Sequence, residues 1–200
     1  MRLIYGFDPL CGWCYGFVPA MRAVTEARPD IPVRLTLPGL VTGERVGPYG
    51  EMEGYIRSAS TRLLAVTGRA PSEAFFHMIR RPDVIGQSAP PCLVLAAARN
   101  QDAMRAVTLA HLMCEAHFQR GADLNDPASY PPLLADAGLD IEVPEGIGAP
   151  GAADALFAAE RRFGIRSFPT LAVERDGRFL ALPSAYEPQD VVAMVVAATA

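Results

Sequence analysis

This sequence lacks the features by which nucleic-acid-binding and membrane proteins are usually recognised. It has no long cluster of basic residues, and its 18 basic and 22 acidic residues leave a formal charge of −4. No apolar run approaches the roughly 20 residues that a membrane-spanning helix needs. We therefore expect neither a nucleic acid nor a membrane as a partner.

The start of the chain also lacks the pattern of a secretory leader. A leader needs an apolar run of roughly 7–15 residues and a cleavage site of small residues, but Asp8-Pro9 interrupts the first apolar stretch. The sequence as given is therefore expected to be cytoplasmic. In a reducing cytosol a disulfide framework is not favoured, and closely spaced cysteines are more often catalytic or metal-binding. The chain has four cysteines: Cys11, Cys14, Cys92 and Cys114.

The first part of the chain predicts a β-α-β unit. Residues 3–7 are apolar and aromatic and are followed by a turn, which is typical of a buried strand. Apolar residues recur at helical spacing from residue 14 to residue 28, and residues 33–37 alternate as in a second strand. Such a unit places its two strands in parallel with a right-handed crossover.

The rest of the chain predicts a helical block set into an α/β unit. Residues 46–144 show helical periods and few strand signals, whereas the tail predicts the order α-β-β-α, with an Asp-Gly hairpin turn at Asp176-Gly177. A length of 200 residues suits one domain with a large insertion. We expect residues 1–45 and 145–200 to form one discontinuous α/β domain, and residues 46–144 to form an all-helical insertion after the second strand.

The segment DPLCGWCYGF, residues 8–17, places two cysteines where the first strand turns into the first helix. The unpaired N–H groups and partial positive charge of a helix start stabilise a thiolate. The spacing holds the two sulfurs near enough to form a bridge. In such a turn one thiolate attacks a disulfide and the other resolves the mixed disulfide. We expect Cys11 to be the more exposed thiol, because Cys14 lies one turn deeper.

Two other interpretations of the cysteines are possible besides a redox pair. A structural zinc site would need two further ligands, and Cys114 and His117 have a compatible spacing. However, Cys114 belongs to an apolar helical stripe with His111 and Phe118, and His117 lies off it, so we expect no metal. In the other interpretation the cysteines only pack in the core. We expect this for Cys92 and Cys114, because a buried free cysteine behaves as a small hydrophobic residue.

A second motif, FGIRSFPTL at residues 163–171, favours the redox pair. A proline at the entrance to a strand is unusual, because it gives up a hydrogen bond of the ladder. The segment closely resembles the one in thioredoxins that carries a cis-proline against the redox cysteines. With both motifs and the helical block, the chain resembles the DsbA family of thioredoxin-fold proteins, and within it the cytoplasmic FrnE-like branch of protein-disulfide isomerases.

This resemblance implies a thioredoxin-like fold and assigns roles to particular residues. Cys11 would be the attacking cysteine, Cys14 the resolving cysteine and Pro169 the cis-proline. The backbone of Phe168 would pair with an extended substrate peptide. Trp13 lies between the cysteines at a helix start and is expected to contact substrate at the rim of the site, as is its neighbour Gly12.

The sequence departs from this family pattern at three places. Gly12-Trp13 stands where the periplasmic oxidants have Pro-His, so their acidic cysteine cannot be assumed. Tyr5 occupies the position of a buried aspartate in thioredoxins, so proton transfer must use another group or water. Asp8 is close enough to oppose a thiolate by charge repulsion, but a turn residue that bonds locally is the favoured interpretation.

The function predicted from these features is that of a thiol–disulfide oxidoreductase or isomerase acting on protein or peptide disulfides. No cofactor is implied, and glutathione or another thiol reductant is an expected partner. The direction of the reaction is left open, because it depends on the potential of the pair relative to that of the compartment. A glutathione-dependent isomerase or transferase of the same fold and a non-enzymatic peptide-binding module remain as alternatives.

Overall fold

The computed structural model describes residues 1–200, which fold into one sheet of four strands, a short ladder and eight α-helices. The strands are β1 (Arg2–Gly6), β2 (Val33–Thr36), β3 (Gly47–Pro48), β4 (Ile85–Gly86), β5 (Thr170–Arg175) and β6 (Arg178–Ala181). The helices are α1 (Gly12–Ala27), α2 (Glu53–Thr67), α3 (Glu73–Ile79), α4 (Ala89–Gln101), α5 (Ala103–Arg120), α6 (Tyr130–Asp136), α7 (Asp154–Glu160) and α8 (Pro188–Thr199).

The sheet brings the two sequence motifs to the same edge of the molecule. Its strand order is β2-β1-β5-β6, with β1 parallel to β2 and antiparallel to β5. Gly6 at the end of β1 pairs with Thr170 at the start of β5. The chain that leaves β1 toward the cysteines and the chain that enters β5 from Pro169 therefore meet. The predicted β-α-β unit and the α-β-β-α tail are both confirmed.

The predicted hairpin between the last two strands is also present. Arg175 pairs with Arg178, so that only Asp176 and Gly177 form the turn. Both residues have positive φ, 52° at Asp176 and 74° at Gly177, which is the backbone that a tight turn of this kind requires. The Asp-Gly dipeptide thus sets the register of β6 on β5.

Helix α1 carries the cysteine pair at its start, and half of its 16 residues are buried. Cys11 caps its first turn, and its last turn is closed by the bond from Arg28 N–H to Val24 O at 2.9 Å. Gly16 lets α2 lie close against it, because a Cβ at this position would come within 2.8 Å of Thr67 Cγ2. Helix α2 can therefore cover the outer face of α1 just beyond the cysteines.

The segment between β2 and β5 is built mainly from α2 to α6, as its helical periodicity predicts. One feature was not predicted: β3 and β4 form a ladder of two residues each. Too few residues are involved for an alternating pattern to be visible in the sequence. A single cluster of 48 buried residues runs from the sheet into these helices, so the insertion shares its core with the rest of the chain. None of the helices combines the length and apolar character needed to cross a membrane.

Candidate active site

Cys11 lies at the cap of α1, where the sequence placed it. Its backbone is extended, with φ −86° and ψ 112°, and its carbonyl accepts the first helical bond from Tyr15 N–H at 3.0 Å. Its sulfur accepts a hydrogen bond from the backbone N–H of Cys14 at 3.3 Å. The sulfur therefore occupies the place of a capping side-chain oxygen and receives a donor that the helix leaves unpaired.

Cys14 lies beneath Cys11 and is sealed from solvent. Its exposed fraction is 0%, against 5% for Cys11, and all four cysteines are thiols. Burial, reinforced by the hydrogen bond to Cys11, raises the pKa of the Cys14 thiol well above its usual value. Cys14 is thus held as a protonated thiol until Cys11 has reacted, which suits a resolving cysteine.

This difference in exposure predicts the order of alkylation. With limiting iodoacetamide near neutral pH, we expect Cys11 to be modified first, because Cys14, Cys92 and Cys114 are each 0% exposed. Peptide mass spectrometry after short reaction times would measure the order. Earlier modification of Cys14 than of Cys11 would contradict the assignment, and equal modification of all four cysteines would indicate that the reagent reacts with unfolded chains.

The segment before β5 closes over the cysteine pair. The Phe168–Pro169 peptide bond is cis, as predicted, and the Phe168 carbonyl lies 3.8 Å from Cys11 Sγ. The Phe168 N–H makes no hydrogen bond within the chain. The residue whose carbonyl lies next to the more exposed sulfur therefore keeps an unpaired backbone donor.

Gly12 and Trp13 lie between the two cysteines, and the surrounding side chains pack differently against each of them. Trp13 is half-buried, and its ring centroid is 5.4 Å from that of Tyr186, which in turn meets Phe17 edge-on. A Cβ at Gly12 would lie 3.4 Å from Leu63 Cδ2, an ordinary contact. Space alone therefore does not require glycine there. Substrate contact by either residue stays a prediction.

Asp8 is a buried turn residue that anchors the cysteine segment. Its carboxyl oxygens accept the backbone N–H of Leu10 at 2.9 Å and that of Leu40 at 2.7 Å. Burial raises the pKa of the Asp8 carboxyl, while its hydrogen bonds, including one with Ser88, act to lower it. Of the two interpretations of Asp8, the structure supports the local turn role and extends it, because the carboxyl also ties the turn to the chain after β2.

Cys92 and Cys114 are core residues, as predicted, and both lie behind the cysteine turn. Cys114 Sγ is 3.8 Å from Pro9 O, and Cys92 Sγ is 3.9 Å from Asp8 Oδ2. Burial raises the pKa of both thiols well above the usual value. They are held as neutral thiols that fill the space beneath the turn, a position that their sequence context did not indicate.

The structure offers no arrangement suited to the alternative zinc site. His117 is 2% exposed, although we expected it to lie off the buried stripe, because Tyr49 and Phe75 cover a second face of α5. Its Nδ1 lies 3.0 Å from Ala122 O, and its Nε2 lies 3.4 Å from Tyr49 Oη. No group of three or more His, Cys, Asp or Glu side chains is placed to hold a metal ion.

Tyr5 occupies a buried position beneath the site, where thioredoxins have an aspartate. Its side chain is 0% exposed, and its hydroxyl makes no hydrogen bond within the chain. Burial raises the pKa of Tyr5 well above its usual value, and the nearby cysteines act in the same direction. Tyr5 is therefore neutral and cannot act as the buried base that a carboxylate would provide.

Two clefts lie near the cysteine turn, one reaching it through Leu10 and the other through Phe168, and Leu40 and Arg45 line both of them. One has a volume of about 630 Å³ and is mainly apolar, with Leu10, Tyr49 and Ile56 in its walls. The other has a volume of about 450 Å³ and includes Phe168. Sequence reasoning did not identify either cleft, because each joins segments far apart in the chain.

Comparison with known proteins identifies the family. No protein-family model and no curated protein matches the chain. Among solved structures, the cytosolic disulfide reductase DsbM from Pseudomonas aeruginosa matches with a TM-score of 0.83 and 30% sequence identity, over 100% of this chain and 98% of that chain. The chain belongs to the DsbA family. It is a thiol–disulfide oxidoreductase with a thioredoxin-like fold and an inserted helical segment.

Two further structures agree with this assignment to the DsbA family. DsbM from Pseudomonas aeruginosa with GSH matches with a TM-score of 0.82 and 27% identity, over 100% of this chain and 99% of that chain. A protein from Nitrosomonas europaea that is provisionally named a protein disulfide isomerase has a TM-score of 0.73 at 17% identity, over 98% and 96% of the two chains. At that identity the likeness concerns the fold alone.

Proposed function

We propose that this DsbA-family protein reduces disulfides in polypeptides through a dithiol cycle of Cys11 and Cys14. The observation that carries the proposal is the pairing of a capping sulfur with a sealed thiol. Cys11 Sγ receives the Cys14 N–H at 3.3 Å, while burial keeps Cys14 protonated. This arrangement separates attack from resolution, as thiol–disulfide exchange requires.

In this cycle two electrons pass from the protein to the substrate. The Cys11 thiolate attacks one sulfur of the substrate disulfide, whose S–S bond breaks and whose other sulfur leaves as a thiolate and takes up a proton. Cys14 then loses its proton and attacks Cys11. The Cys11–substrate bond breaks, the second substrate thiol is released, and Cys11 and Cys14 are left joined as a disulfide.

We propose that an extended substrate chain lies along Phe168, with Pro169, Gly12 and Trp13 around the reacting sulfur. The free N–H of Phe168 supports this placement, because it can donate to a substrate carbonyl beside Cys11. Backbone pairing of this kind gives affinity with little sequence preference. The apolar cleft that begins at Leu10 offers room for side chains next to the substrate cysteine.

Reduction is the proposed direction, in the cytosol and with glutathione as the electron donor. Support comes from DsbM, which is named a cytosolic disulfide reductase and has been solved with GSH. In the regenerating half-cycle, one glutathione thiolate attacks the Cys11–Cys14 disulfide, and a second releases glutathione disulfide and the reduced pair.

We also propose the domain division expected from the sequence, with residues 46–144 inserted into a thioredoxin-like domain formed by residues 1–45 and 145–200. All strands of the four-stranded sheet lie outside the insertion. The insertion supplies Ser88, Cys92 and Cys114, which contact the inner side of the cysteine turn or the loop attached to it. Its role would be to support the turn from behind.

The proposal predicts protein-dependent reduction of insulin disulfides with glutathione as reductant. Glutathione disulfide formed in the reaction would be followed through glutathione reductase and NADPH, and the Cys11–Cys14 potential would be measured in glutathione buffers. We expect NADPH consumption that requires this protein, glutathione reductase and insulin together. If the protein instead corrects scrambled disulfides without net NADPH consumption, the reductive direction is wrong and an isomerase remains. If it shows neither activity, the proposal fails.

A further inference from the structure

The second cleft beside the cysteine turn is lined by three arginines. Its volume is about 450 Å³, and Arg45, Arg161 and Arg166 contribute to its walls together with Phe168. The Phe168 carbonyl lies 3.8 Å from Cys11 Sγ. Cys11 does not itself line the cleft, but Phe168 lies between the cleft and the sulfur that we propose as the nucleophile.

None of these arginines is paired with an acidic side chain. Arg45 donates only to Leu40 O at 3.3 Å, while Arg161 and Arg166 form no side-chain hydrogen bond within the chain. Arg57 and Arg80 are different, because both are bonded to Glu53. No acidic residue lines the cleft, although the chain as a whole carries a formal charge of −4. The cleft is thus a local concentration of positive charge on an acidic protein.

The chemistry of three guanidinium groups indicates what the cleft binds. A guanidinium presents planar N–H donors that match the two oxygens of a carboxylate. A ligand that exchanges disulfides with Cys11 must also carry sulfur. Glutathione meets both conditions, because its cysteine thiol lies between two terminal carboxylates.

We propose that Arg45, Arg161 and Arg166 hold the carboxylates of a glutathionyl group and place its sulfur at Cys11. This inference rests on the proposed function and specifies the residues that select the small-molecule partner. With glutathione disulfide the regenerating half-cycle runs in reverse: Cys11 attacks one sulfur and the first glutathione leaves as a thiolate. Cys14 then attacks Cys11 and releases the second glutathione, so that the disulfide is reduced while the Cys11–Cys14 pair is oxidised.

Rapid mixing of the reduced protein with different disulfides would test this inference. Trp13 is the only tryptophan and lies between the two cysteines, so its fluorescence can report their oxidation without an added reductant. Glutathione disulfide would be compared with the disulfide of glutathione ethyl ester, which lacks one carboxylate of each glutathione, and with neutral 2-hydroxyethyl disulfide.

We expect Arg161→Gln and Arg166→Gln each to lower the second-order rate constant for glutathione disulfide by about tenfold, the effect of losing one charge-assisted hydrogen bond. Arg45→Gln should act in the same direction. In these variants the rate constant for 2-hydroxyethyl disulfide should change by less than about twofold. The rate constant for the ethyl ester disulfide should fall by less than that for glutathione disulfide.

Arg178→Gln is the matched control, because Arg178 pairs with Arg175 at the end of β5 away from Pro169. This variant should leave the rate constants for all three disulfides unchanged.

The outcomes separate this inference from the proposed function. If the variants slow the neutral disulfide as much as glutathione disulfide, the arginines act on Cys11 itself and the inference is overturned. If the wild-type protein reacts with both disulfides and the variants react with glutathione disulfide as fast as the wild-type protein does, the inference fails while the proposed function stands. If the wild-type protein reacts with neither disulfide, the proposed function fails as well.

Discussion

Replacing Cys11 by serine is expected to lower the rate of insulin reduction by roughly a thousandfold or more, the range seen when a catalytic nucleophile is removed. A serine hydroxyl is not ionised near neutral pH and cannot attack a disulfide. No other thiol can take over, because Cys14, Cys92 and Cys114 are each 0% exposed. The measurement is the initial rate in the NADPH-coupled assay, with circular dichroism to show that the fold is retained.

Cys92→Ala is the matched control for this loss. It also removes one buried thiol close to the turn, but the Cys92 thiol contacts Asp8 and not the sulfur of Cys11. We expect this variant to keep activity within a few-fold of the wild-type protein. A Cys11→Ser protein that is folded and retains a tenth of the wild-type rate would show that the reaction does not depend on Cys11.

Lowering the pH from 7 to 5 is expected to reduce the free energy of unfolding by up to about 4 kcal/mol. Burial lowers the pKa of His111 to about 3 and that of His117 to about 4, from 6.5. Both are bases with a depressed pKa in the folded state, so their contribution is complete above pH 6.5 and is lost as the pH falls toward 4 and 3. Each pH unit below 6.5 costs about 1.4 kcal/mol for each histidine.

His111→Leu should remove about half of this pH dependence. The Nε2 of His111 is buried without a hydrogen-bond partner in the chain, so an apolar side chain of similar size removes both an unsatisfied atom and a titrating group. Urea unfolding at pH 7 and pH 5 would measure the effect. His77→Gln is the control, because His77 is exposed. An unchanged pH dependence in His111→Leu would contradict the assignment to this histidine.

The carboxyl of Asp8 acts in the opposite direction. Burial raises its pKa, so protonation is favoured in the folded state and stability increases as the pH falls through that value. Part of the loss caused by the histidines is therefore offset. For this reason the comparison of His111→Leu with the wild-type protein is more informative than the absolute change.

The part of the site that is local in sequence could be predicted. The cysteine spacing and the strand-to-helix turn are adjacent in the chain, and they place Cys11 at the cap and Cys14 below it. The cis bond before Pro169 was predicted from a short segment that resembles thioredoxins, and it is confirmed. That segment also reaches Cys11, although 157 residues separate Cys11 from Phe168, because β5 pairs with β1.

Contacts that depend on the packing of distant helices could not be predicted. Cys92 is 84 residues from Asp8 and Cys114 is 105 residues from Pro9, so nothing in their local patterns shows that they meet beneath the turn. The burial of His117 was missed for the same reason, since α3 and Tyr49 cover a face of α5 that appears polar in sequence. The arginine cleft likewise combines Arg45 with residues more than a hundred positions later.

Trapping of the mixed disulfide is the most direct test of the stepwise role of Cys11 and Cys14. Reduced Cys14→Ser and Cys11→Ser proteins would each be incubated with an oxidised peptide, alkylated and mapped by mass spectrometry. We expect the peptide to be held covalently on Cys11 in Cys14→Ser, because no thiol remains to resolve it, and we expect Cys11→Ser to form no adduct. Equal adducts in both variants, or an adduct on Cys14, would contradict this expectation.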